Sequence, residues 1–265
     1  MRVALCQIEV GDDPGENLKR MLDALAEAAE ADLAVFPEAA QVRFGNDLAA
    51  VAEPLDGPFV GALSEAAREH GTAVVAGVFE PAPDGRVYNT VVGIDASGEL
   101  VGSYRKIHMF DAFGDHESED VAPGDRPVVV ELAGTRIGLI TCYDVRFPEL
   151  ARALVDLGAQ LLVVPAAWGQ GVFKEEHWTT LVRARAIENT TWVVAVDKAP
   201  DTTRPPRGAP GGVGRSQLID PMGTVLADLG PFPSVRVAEI DPETAARVRA
   251  VLPALEHRRP DLFQR

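Results

Sequence analysis

Cysteine, aromatic residues and long apolar runs are all scarce in this sequence of 265 residues. The only cysteines are Cys6 and Cys142, so a fold held together by several disulfides is excluded, although a single disulfide stays open. No segment approaches the ~18–20 consecutive apolar residues of a membrane-spanning helix. The apolar part of the N-terminal "MRVALCQIEV" is also too short for the core of a signal peptide. The sequence therefore predicts a cytoplasmic protein with reduced thiols.

Positive charge is also in short supply. The chain has 25 Lys and Arg residues against 40 Asp and Glu residues, a formal net charge of -15 and a sequence pI near 4.7. Nucleic-acid binding relies on clustered Lys and Arg, so neither a nucleic acid nor an anionic membrane surface is expected as a partner. The acidic residues are scattered along the chain, which is typical of a solvated surface.

The overall composition is that of a globular protein, with 46% hydrophobic and 25% charged residues. No stretch resembles a linker between two cores, so we expect a single domain over residues 1–265, with residues 253–265 as a C-terminal tail. Strand-like apolar runs alternate with helical patterns, which predicts an α/β fold. Helices are expected over residues 14–31, over 58–70 with Gly71 as the C-terminal cap, and over 174–189.

Two segments of the chain resemble each other. "ADLAVFPEAA" (31–40) and "AQLLVVPAAW" (159–168) are each an apolar strand ended by Pro and then Ala. The similarity hints at a pseudo-symmetric pair of half-domains.

Three reactive side chains follow predicted strands. Glu38 comes after "DLAVFP", Lys106 after "ELVGSYR" and Cys142 after "RIGLIT". Ligands of open α/β sheets bind outside the carboxyl ends of strands, so the three groups could converge on one site. A carboxylate can take the proton of a thiol, and an ammonium can stabilise the oxyanion that forms when the thiolate attacks a carbonyl. A backbone N–H after the nucleophile, that of Tyr143, could complete an oxyanion hole.

Each of these residues also has a structural interpretation. A cysteine in an apolar run is most often a small buried side chain, which fits Cys6 and, on local pattern alone, Cys142. Glu38 could be a helix-start carboxylate, and Lys106 could be a solvated residue at a strand end. Only their joint placement favours a catalytic site.

Other kinds of site find less support. No Gly-x-Ser-x-Gly motif is present, which argues against a serine hydrolase of the α/β type. The aperiodic stretch 107–126 is long enough to be functional, but the spacing of its acidic residues matches no calcium or zinc motif, so no metal site is predicted. The Pro- and Gly-rich loop at 199–213 could be a lid, an oligomer contact or a surface loop without a specific role.

Taken in order, the motifs resemble those of the nitrilase-like carbon–nitrogen hydrolase superfamily. They are "FPEAA", "YRKIHMFDAF", "ITCYDVRFPEL", "LLVVPAAW" and "HWTTLVRARAIEN". The resemblance covers nearly the whole chain and implies a four-layer α-β-β-α sandwich whose subunits form a homodimer or a larger homo-oligomer. It implies a catalytic triad of Glu38 as general base, Lys106 as oxyanion stabiliser and Cys142 as nucleophile. Glu117 is expected to orient the lysine, with Glu119 as the alternative.

The implied reaction is hydrolysis of a small-molecule amide through a thioester, with no metal or organic cofactor. "CYDVRFPEL" resembles the branch that contains ω-amidases and deaminated glutathione amidases more than it resembles the nitrilases proper, so an amide of a small carboxylated acid is the expected substrate. Trp168 is expected to form part of its pocket. Arg43, Arg146 or Arg215 could bind its carboxylate.

The sequence departs from the ω-amidase pattern after Glu38 and around Trp168, which leaves other substrates open. The alternatives are a nitrilase, a carbamoylase or an aliphatic amidase with the same triad. A binding protein that has kept the fold without turnover is a further alternative.

Overall fold

The computed structural model describes residues 1–200 and 211–262. In these ranges the chain forms twelve strands, seven α-helices and two short 3-10 helices. The strands are β1 (Arg2–Gln7), β2 (Leu33–Val35), β3 (Ala73–Pro81), β4 (Val87–Ile94), β5 (Leu100–Arg105), β6 (Val129–Leu132), β7 (Thr135–Leu139), β8 (Leu161–Ala166), β9 (Trp192–Asp197), β10 (Gln217–Ile219), β11 (Val225–Asp228) and β12 (Ser234–Glu239). The α-helices are α1 (Pro14–Glu27), α2 (Leu48–Val51), α3 (Pro58–His70), α4 (Glu117–Asp120), α5 (Pro148–Asp156), α6 (Lys174–Asn189) and α7 (Thr244–Val251).

The strands form two sheets with the same internal arrangement. The first sheet has the order β12-β1-β2-β3-β4-β5, and the second has the order β11-β10-β9-β8-β7-β6. Each contains three adjacent parallel strands, β1 to β3 in the first sheet and β7 to β9 in the second. The two similar segments of the sequence contain β2 and β8, the middle strand of each parallel trio. Their similarity is therefore matched by equivalent positions in the two sheets.

Alternating side chains of the first sheet enter two different apolar clusters. In β1, Val3 and Leu5 join a cluster that includes residues of the second sheet, whereas Ala4 and Cys6 join a cluster with residues of α1 and α3. Helices α5 and α6 cover the second sheet from the other side through further residues of the first cluster. Because successive strand residues point to opposite faces, this pattern confirms the four-layer α-β-β-α sandwich.

The helices begin and end close to the predicted residues, with one correction. Helix α3 ends before Gly71, whose φ of 64° is the left-handed conformation expected of a glycine cap, and α6 has the predicted bounds. Helix α1 ends at Glu27 rather than at Ala31. The chain turns there because Ala31 is buried and the Asp32 N–H donates to the Arg2 carbonyl oxygen, which leads directly into β2.

No helix within residues 1–200 and 211–262 is both long and apolar enough to cross a membrane. Most of the 199–213 loop, residues 201–210, lies outside the described residues, so its proposed role as a lid stays untested. The predicted tail contains a 3-10 helix at Pro260–Leu262, and its Arg258 forms an ion pair with Asp156 of α5. The single-domain boundaries remain a prediction.

Candidate active site

The ends of three strands bring the predicted reactive residues together. Glu38 follows β2 and Lys106 follows β5 in the first sheet, whereas Cys142 follows β7 in the second sheet. All three are buried, with exposed fractions of 0%, 2% and 8%. They line one cavity of about 430 Å³ between the two sheets' loops. The site therefore depends on the packing of both sheets.

The Lys106 ammonium lies between two carboxylates. Its Nζ is 3.0 Å from Glu38 Oε1, and it is 2.8 and 2.7 Å from the two carboxylate oxygens of Glu117. Asn89 Nδ2 donates to both carboxylates as well, at 2.7 Å to Glu38 and 3.2 Å to Glu117. Glu117, at the start of α4, thus contacts Lys106 directly, whereas Glu119 is exposed.

Glu38 is held in place from both sheets. Its Oε2 accepts a hydrogen bond from the backbone N–H of Ala167, which follows β8, at 2.8 Å. The next residue, Ala39, has a φ of 52°, so the chain bends sharply across β3. At the crossing point a Cβ on Gly77 would lie 2.6 Å from the Cα of Glu38 and 2.6 Å from the Ala39 nitrogen. Only a glycine fits there.

Cys142 occupies a strained position at the start of the 3-10 helix Cys142–Arg146. Its φ of 45° is unusual for a residue with a side chain, and it resembles the strand-to-helix elbow on which hydrolase nucleophiles sit. The turn is held by the buried carboxylate of Asp144, which accepts hydrogen bonds from the Thr141 N–H at 3.1 Å, the Tyr104 hydroxyl at 2.7 Å and the His108 N–H at 3.0 Å. Tyr104 lies on β5, so this contact also joins the two sheets.

Burial and charge keep the thiol of Cys142 protonated before substrate binds. Burial raises the pKa of Cys142 well above its usual range, and the Glu38 carboxylate raises it further, both by charge and by a hydrogen bond with the thiol, whereas Lys106 opposes the rise. Burial lowers the pKa of Lys106, but the charges of Glu117, Glu38 and Cys142 more than offset this and raise its pKa well above the usual range. The resting site is thus a neutral thiol beside a carboxylate and an ammonium.

The predicted substrate contacts line the same cavity. Tyr143, Arg146 and Trp168 are all on its wall. Tyr143 is the second residue of the 3-10 helix, and the first N–H groups of a helix have no acceptor within it. Of the other arginines considered for a substrate carboxylate, Arg43 pairs with Asp12, and Arg215 pairs with Asp228 and Glu175.

Neither Arg43 nor Arg215 lines the cavity. The acidic residues of the loop before and within α4 serve other contacts: Glu117 binds Lys106, and Asp111 accepts from the Ser118 N–H at 2.9 Å. Across residues 1–200 and 211–262, no three His, Cys, Asp or Glu side chains are grouped so that they could hold a metal ion.

Several functional contacts were missed at the sequence level. Asn89 was detectable as a lone amide in the apolar run "VYNTVVGI", whereas Gly77 and Asp144 gave no local signal. Asp197, fully buried at the end of β9, accepts hydrogen bonds from the backbone N–H groups of Trp168 and Val213 at 2.7 and 2.6 Å. Burial nevertheless raises the pKa of Asp197 to about 8.

Comparison with known proteins identifies the family. The family model described as carbon-nitrogen hydrolase matches residues 2–250. A protein named as a hydrolase from Mycobacterium tuberculosis is 45% identical over 258 residues, covering 94% of this chain and 92% of that protein. A deaminated glutathione amidase from Escherichia coli O157:H7 is 37% identical, covering 98% of this chain and 97% of that protein.

Two solved structures share the fold over nearly the whole chain. Saccharomyces cerevisiae Nit3, a member of branch 10 of the nitrilase superfamily, matches with a TM-score of 0.87 and 29% identity, covering 98% of this chain and 96% of the other. A mutant of the amidase from Nesterenkonia sp. AN1, with the acetamide moiety of fluoroacetamide added covalently at its active-site cysteine, matches with a TM-score of 0.84 and 30% identity, covering 99% and 95%. The chain therefore belongs to the carbon–nitrogen hydrolase family and is an enzyme of that class.

Proposed function

We propose that this enzyme hydrolyses the amide of a small carboxylic acid through a thioester on Cys142. The observation that carries the proposal is the placement of one ammonium, that of Lys106, between the carboxylates of Glu38 and Glu117, with the Cys142 thiol hydrogen-bonded to Glu38. A binding protein without turnover would have no use for a thiol beside a carboxylate and an ammonium, and even paired charges carry a desolvation cost when they are buried.

The first half of the reaction acylates the enzyme. The Cys142 sulfur attacks the amide carbonyl carbon while Glu38 accepts the thiol proton, so a C–S bond forms and the carbonyl oxygen becomes an oxyanion. Lys106 and the backbone N–H of Tyr143 stabilise that oxyanion. When the C–N bond breaks, Glu38 returns the proton to the nitrogen, and ammonia leaves.

The second half releases the acid. Glu38 takes a proton from a water molecule as its oxygen attacks the thioester carbon, and the C–S bond breaks with the proton returned to the sulfur. The product is a free carboxylic acid and the thiol is restored. Glu117 holds the Lys106 ammonium in place and takes no proton in either half.

The substrate class is supported by the site and by the relatives together. The cavity of about 430 Å³ has room for a small acyl group, and Arg146 on its wall could bind a carboxylate. The Escherichia coli relative is named a deaminated glutathione amidase, and the Nesterenkonia protein is an amidase with a covalent adduct on its cysteine. Both favour an amide over a nitrile or a carbamoyl compound.

The test is intact-protein mass spectrometry after rapid acid quenching with a panel of amides, nitriles and carbamoyl compounds. We expect a mass increase equal to the acyl group with an amide, and ammonia release in the steady state. The adduct should persist in Cys6→Ala and vanish in Cys142→Ala. Amide turnover without any adduct on Cys142, or turnover of nitriles alone, would overturn the proposal.

A homodimeric assembly and a cytoplasmic location complete the proposal. The dimer rests on the family resemblance, and the location on the two unpaired cysteines, Cys6 and Cys142. Light scattering after size-exclusion chromatography tests the assembly: a mass near twice 28.3 kDa is expected, and a monomer over the micromolar range would contradict it.

A further inference from the structure

Asp197 is a fully buried carboxyl that takes no part in the proposed reaction. It lies at the end of β9, where the corresponding residue of the first sheet is the buried Val78. Burial raises the pKa of Asp197 to about 8, and the charge of Glu38 acts in the same direction. An apolar side chain could fill this position without the cost of burying a polar group. The carboxyl therefore needs a reason other than packing.

The two oxygens of Asp197 hold two different segments of the backbone. Oδ1 accepts a hydrogen bond from the N–H of Trp168 at 2.7 Å, and Oδ2 accepts one from the N–H of Val213 at 2.6 Å. Trp168 belongs to the segment that follows β8, whereas Val213 precedes β10. The carboxyl thus connects two segments that are far apart in the sequence.

Further contacts make the same connection. The Gly212 N–H donates to the carbonyl oxygen of Trp168 at 3.0 Å, and the side-chain amide of Gln170 donates to the carbonyl oxygen of Gly212 at 2.9 Å. Gly212 has a φ of 80°, and a Cβ on it would lie 2.4 Å from the carbonyl oxygen of Lys198. Residues 211–214 are therefore packed closely against the segments that follow β8 and β9.

The segment held by Asp197 also carries an N–H group of the catalytic site. The N–H of Ala167 donates to Oε2 of Glu38 at 2.8 Å, and the Cys142 sulfur accepts from the same N–H. The Trp168 N–H belongs to the next peptide plane, and only the two torsion angles of Ala167 separate the two planes. Holding the Trp168 N–H therefore restrains the N–H that contacts the general base and the nucleophile.

We propose that Asp197 is a positioning residue, whose carboxyl holds the Ala167 N–H against Glu38 and Cys142. Ala166 and Asp197 are the last paired residues of β8 and β9, so the side chain continues the hydrogen bonding between these strands one residue further. This deepens the proposed function and rests on it. A residue that only filled space would affect stability but neither the rate of the reaction nor the reactivity of the thiol.

The first test is Asp197→Asn, with glutaramate as the probe amide of the expected class. The change keeps the size of the side chain but replaces one acceptor oxygen by an amide nitrogen, which cannot accept. We expect kcat to fall roughly tenfold, because the general base and the nucleophile shift. KM should change by less than about threefold, because the Trp168 side chain is held separately, by the hydrogen bond from its Nε1 to the Lys174 carbonyl oxygen at 2.7 Å.

Asp220→Asn is the matched control. Asp220 Oδ1 likewise accepts from two backbone N–H groups, those of Met222 and Thr224, at 2.8 Å each, but in a turn that does not line the cavity. This variant should keep the kcat of the wild type.

Gly212→Ala disturbs the same connection from its other side, because the added methyl group must displace residues 211–214 or the Lys198 carbonyl. If Asp197 and Gly212 act through one connection, the double variant should lose little more activity than the weaker single variant. A loss equal to the product of the two single losses would contradict this shared action.

Alkylation of Cys142 by iodoacetamide tests the positioning without turnover. Asp197→Asn should slow it roughly fivefold, because the contacts that activate the thiol are loosened, and Asp220→Asn should leave it unchanged. A wild-type rate of alkylation in Asp197→Asn would overturn the proposal even if kcat fell, and so would a wild-type kcat. If the wild type hydrolysed no amide, alkylation alone would decide: a slower rate in Asp197→Asn would support the positioning of the thiol while the proposed function failed.

Discussion

The two sheets share one strand order but differ in how the chain continues at the end of the middle parallel strand. In the second sheet, β8 stays paired with β9 as far as Ala166, opposite Asp197. In the first sheet, the pairing of β2 with β3 ends at Val35, and the chain crosses over Gly77 to place Glu38. The partner strands begin alike, "TAVVAG" (72–77) and "TWVVAV" (191–196), and Gly77 stands where the second sheet has Val196.

The two cysteines differ in the same way. Cys6 lies inside β1 and faces the helix side of the first sheet, whereas Cys142 lies beyond the end of β7, the equivalent strand of the second sheet. Two of the predicted catalytic residues lie where the two sheets differ from each other: Glu38 follows β2 in the first sheet, and Cys142 follows β7 in the second.

The largest difference should be found between two single variants, Cys142→Ala and Cys6→Ala. Cys142→Ala is expected to lower kcat for amide hydrolysis by on the order of 10⁴-fold or more, because it removes the nucleophile. Cys6→Ala should keep kcat and lose about 1 kcal/mol of stability to a small cavity. Steady-state ammonia release and thermal unfolding measure the two quantities. Retained activity in Cys142→Ala would show that the nucleophile is another group.

Alkylation should separate the same two residues without mutation. Cys142 lines the cavity beside a base, whereas Cys6 is fully buried and burial raises its pKa far above the usual range. We expect iodoacetamide to modify Cys142 at least about 100-fold faster, as read from peptide masses over time. Glu38→Gln should slow the reaction at Cys142 only. Equal rates of alkylation at Cys142 and Cys6 would contradict the expected difference in reactivity.

Gly77→Ala tests the close passage of Glu38 and Ala39 over β3, which has no equivalent in the second sheet. The added methyl group must displace the backbone of Glu38 and Ala39, and a displacement of about 1 Å at a catalytic group can lower kcat by about 100-fold. Gly61→Ala, at an exposed position of α3 with open space around it, is the control. It should keep kcat and gain about 0.5–1 kcal/mol of stability from better helix propensity. Similar kinetics in both variants would mean that the crossing is not needed.

Asp197, which stands where the first sheet has Val78, should give a smaller effect that depends on pH. The folded protein keeps this carboxyl protonated up to about pH 8, whereas the unfolded chain loses the proton near about pH 4. Between those values the folded state holds more protons, so rising pH reduces stability.

Asp197→Asn removes that dependence. Its Tm relative to wild type should therefore rise by several degrees between pH 5 and pH 8, because each pH unit between the two pKa values changes the stability of the wild type by about 1.4 kcal/mol. Differential scanning calorimetry at both pH values measures the change. A constant difference between the two proteins would mean that the carboxyl titrates normally, with its two backbone N–H donors outweighing burial.

Much of the fold was predictable because local rules and tertiary packing agree. The apolar runs became strands, and helix α3 ends at its glycine cap as expected. The ordered motifs indicated Glu38, Lys106, Cys142 and Glu117, and the structure places the other three side chains around Lys106. The sequence could not distinguish Glu117 from Glu119, since either residue could face Lys106 from a loop of irregular conformation.

The residues that support the site were not predictable from local pattern. Gly77 is required by the close approach of Glu38 and Ala39, which follow β2, and a glycine within an apolar run carries no sign of that. Lys174, a buried residue of the cavity wall, lies in "VFKEEHW", where a charged residue at a helix start is typical of a solvated surface. Its burial follows from Phe110 and Phe113, which are remote in sequence.

The pairing of β1 with β12 has a consequence for how the chain folds. Residues 2–7 pair with residues 234–239, so one edge of the apolar strand β1 stays open during synthesis until almost the whole chain has left the ribosome. Contacts of such sequence separation slow folding, and an open apolar edge favours aggregation. Truncation before β12 should therefore yield an insoluble chain even though every catalytic residue is present.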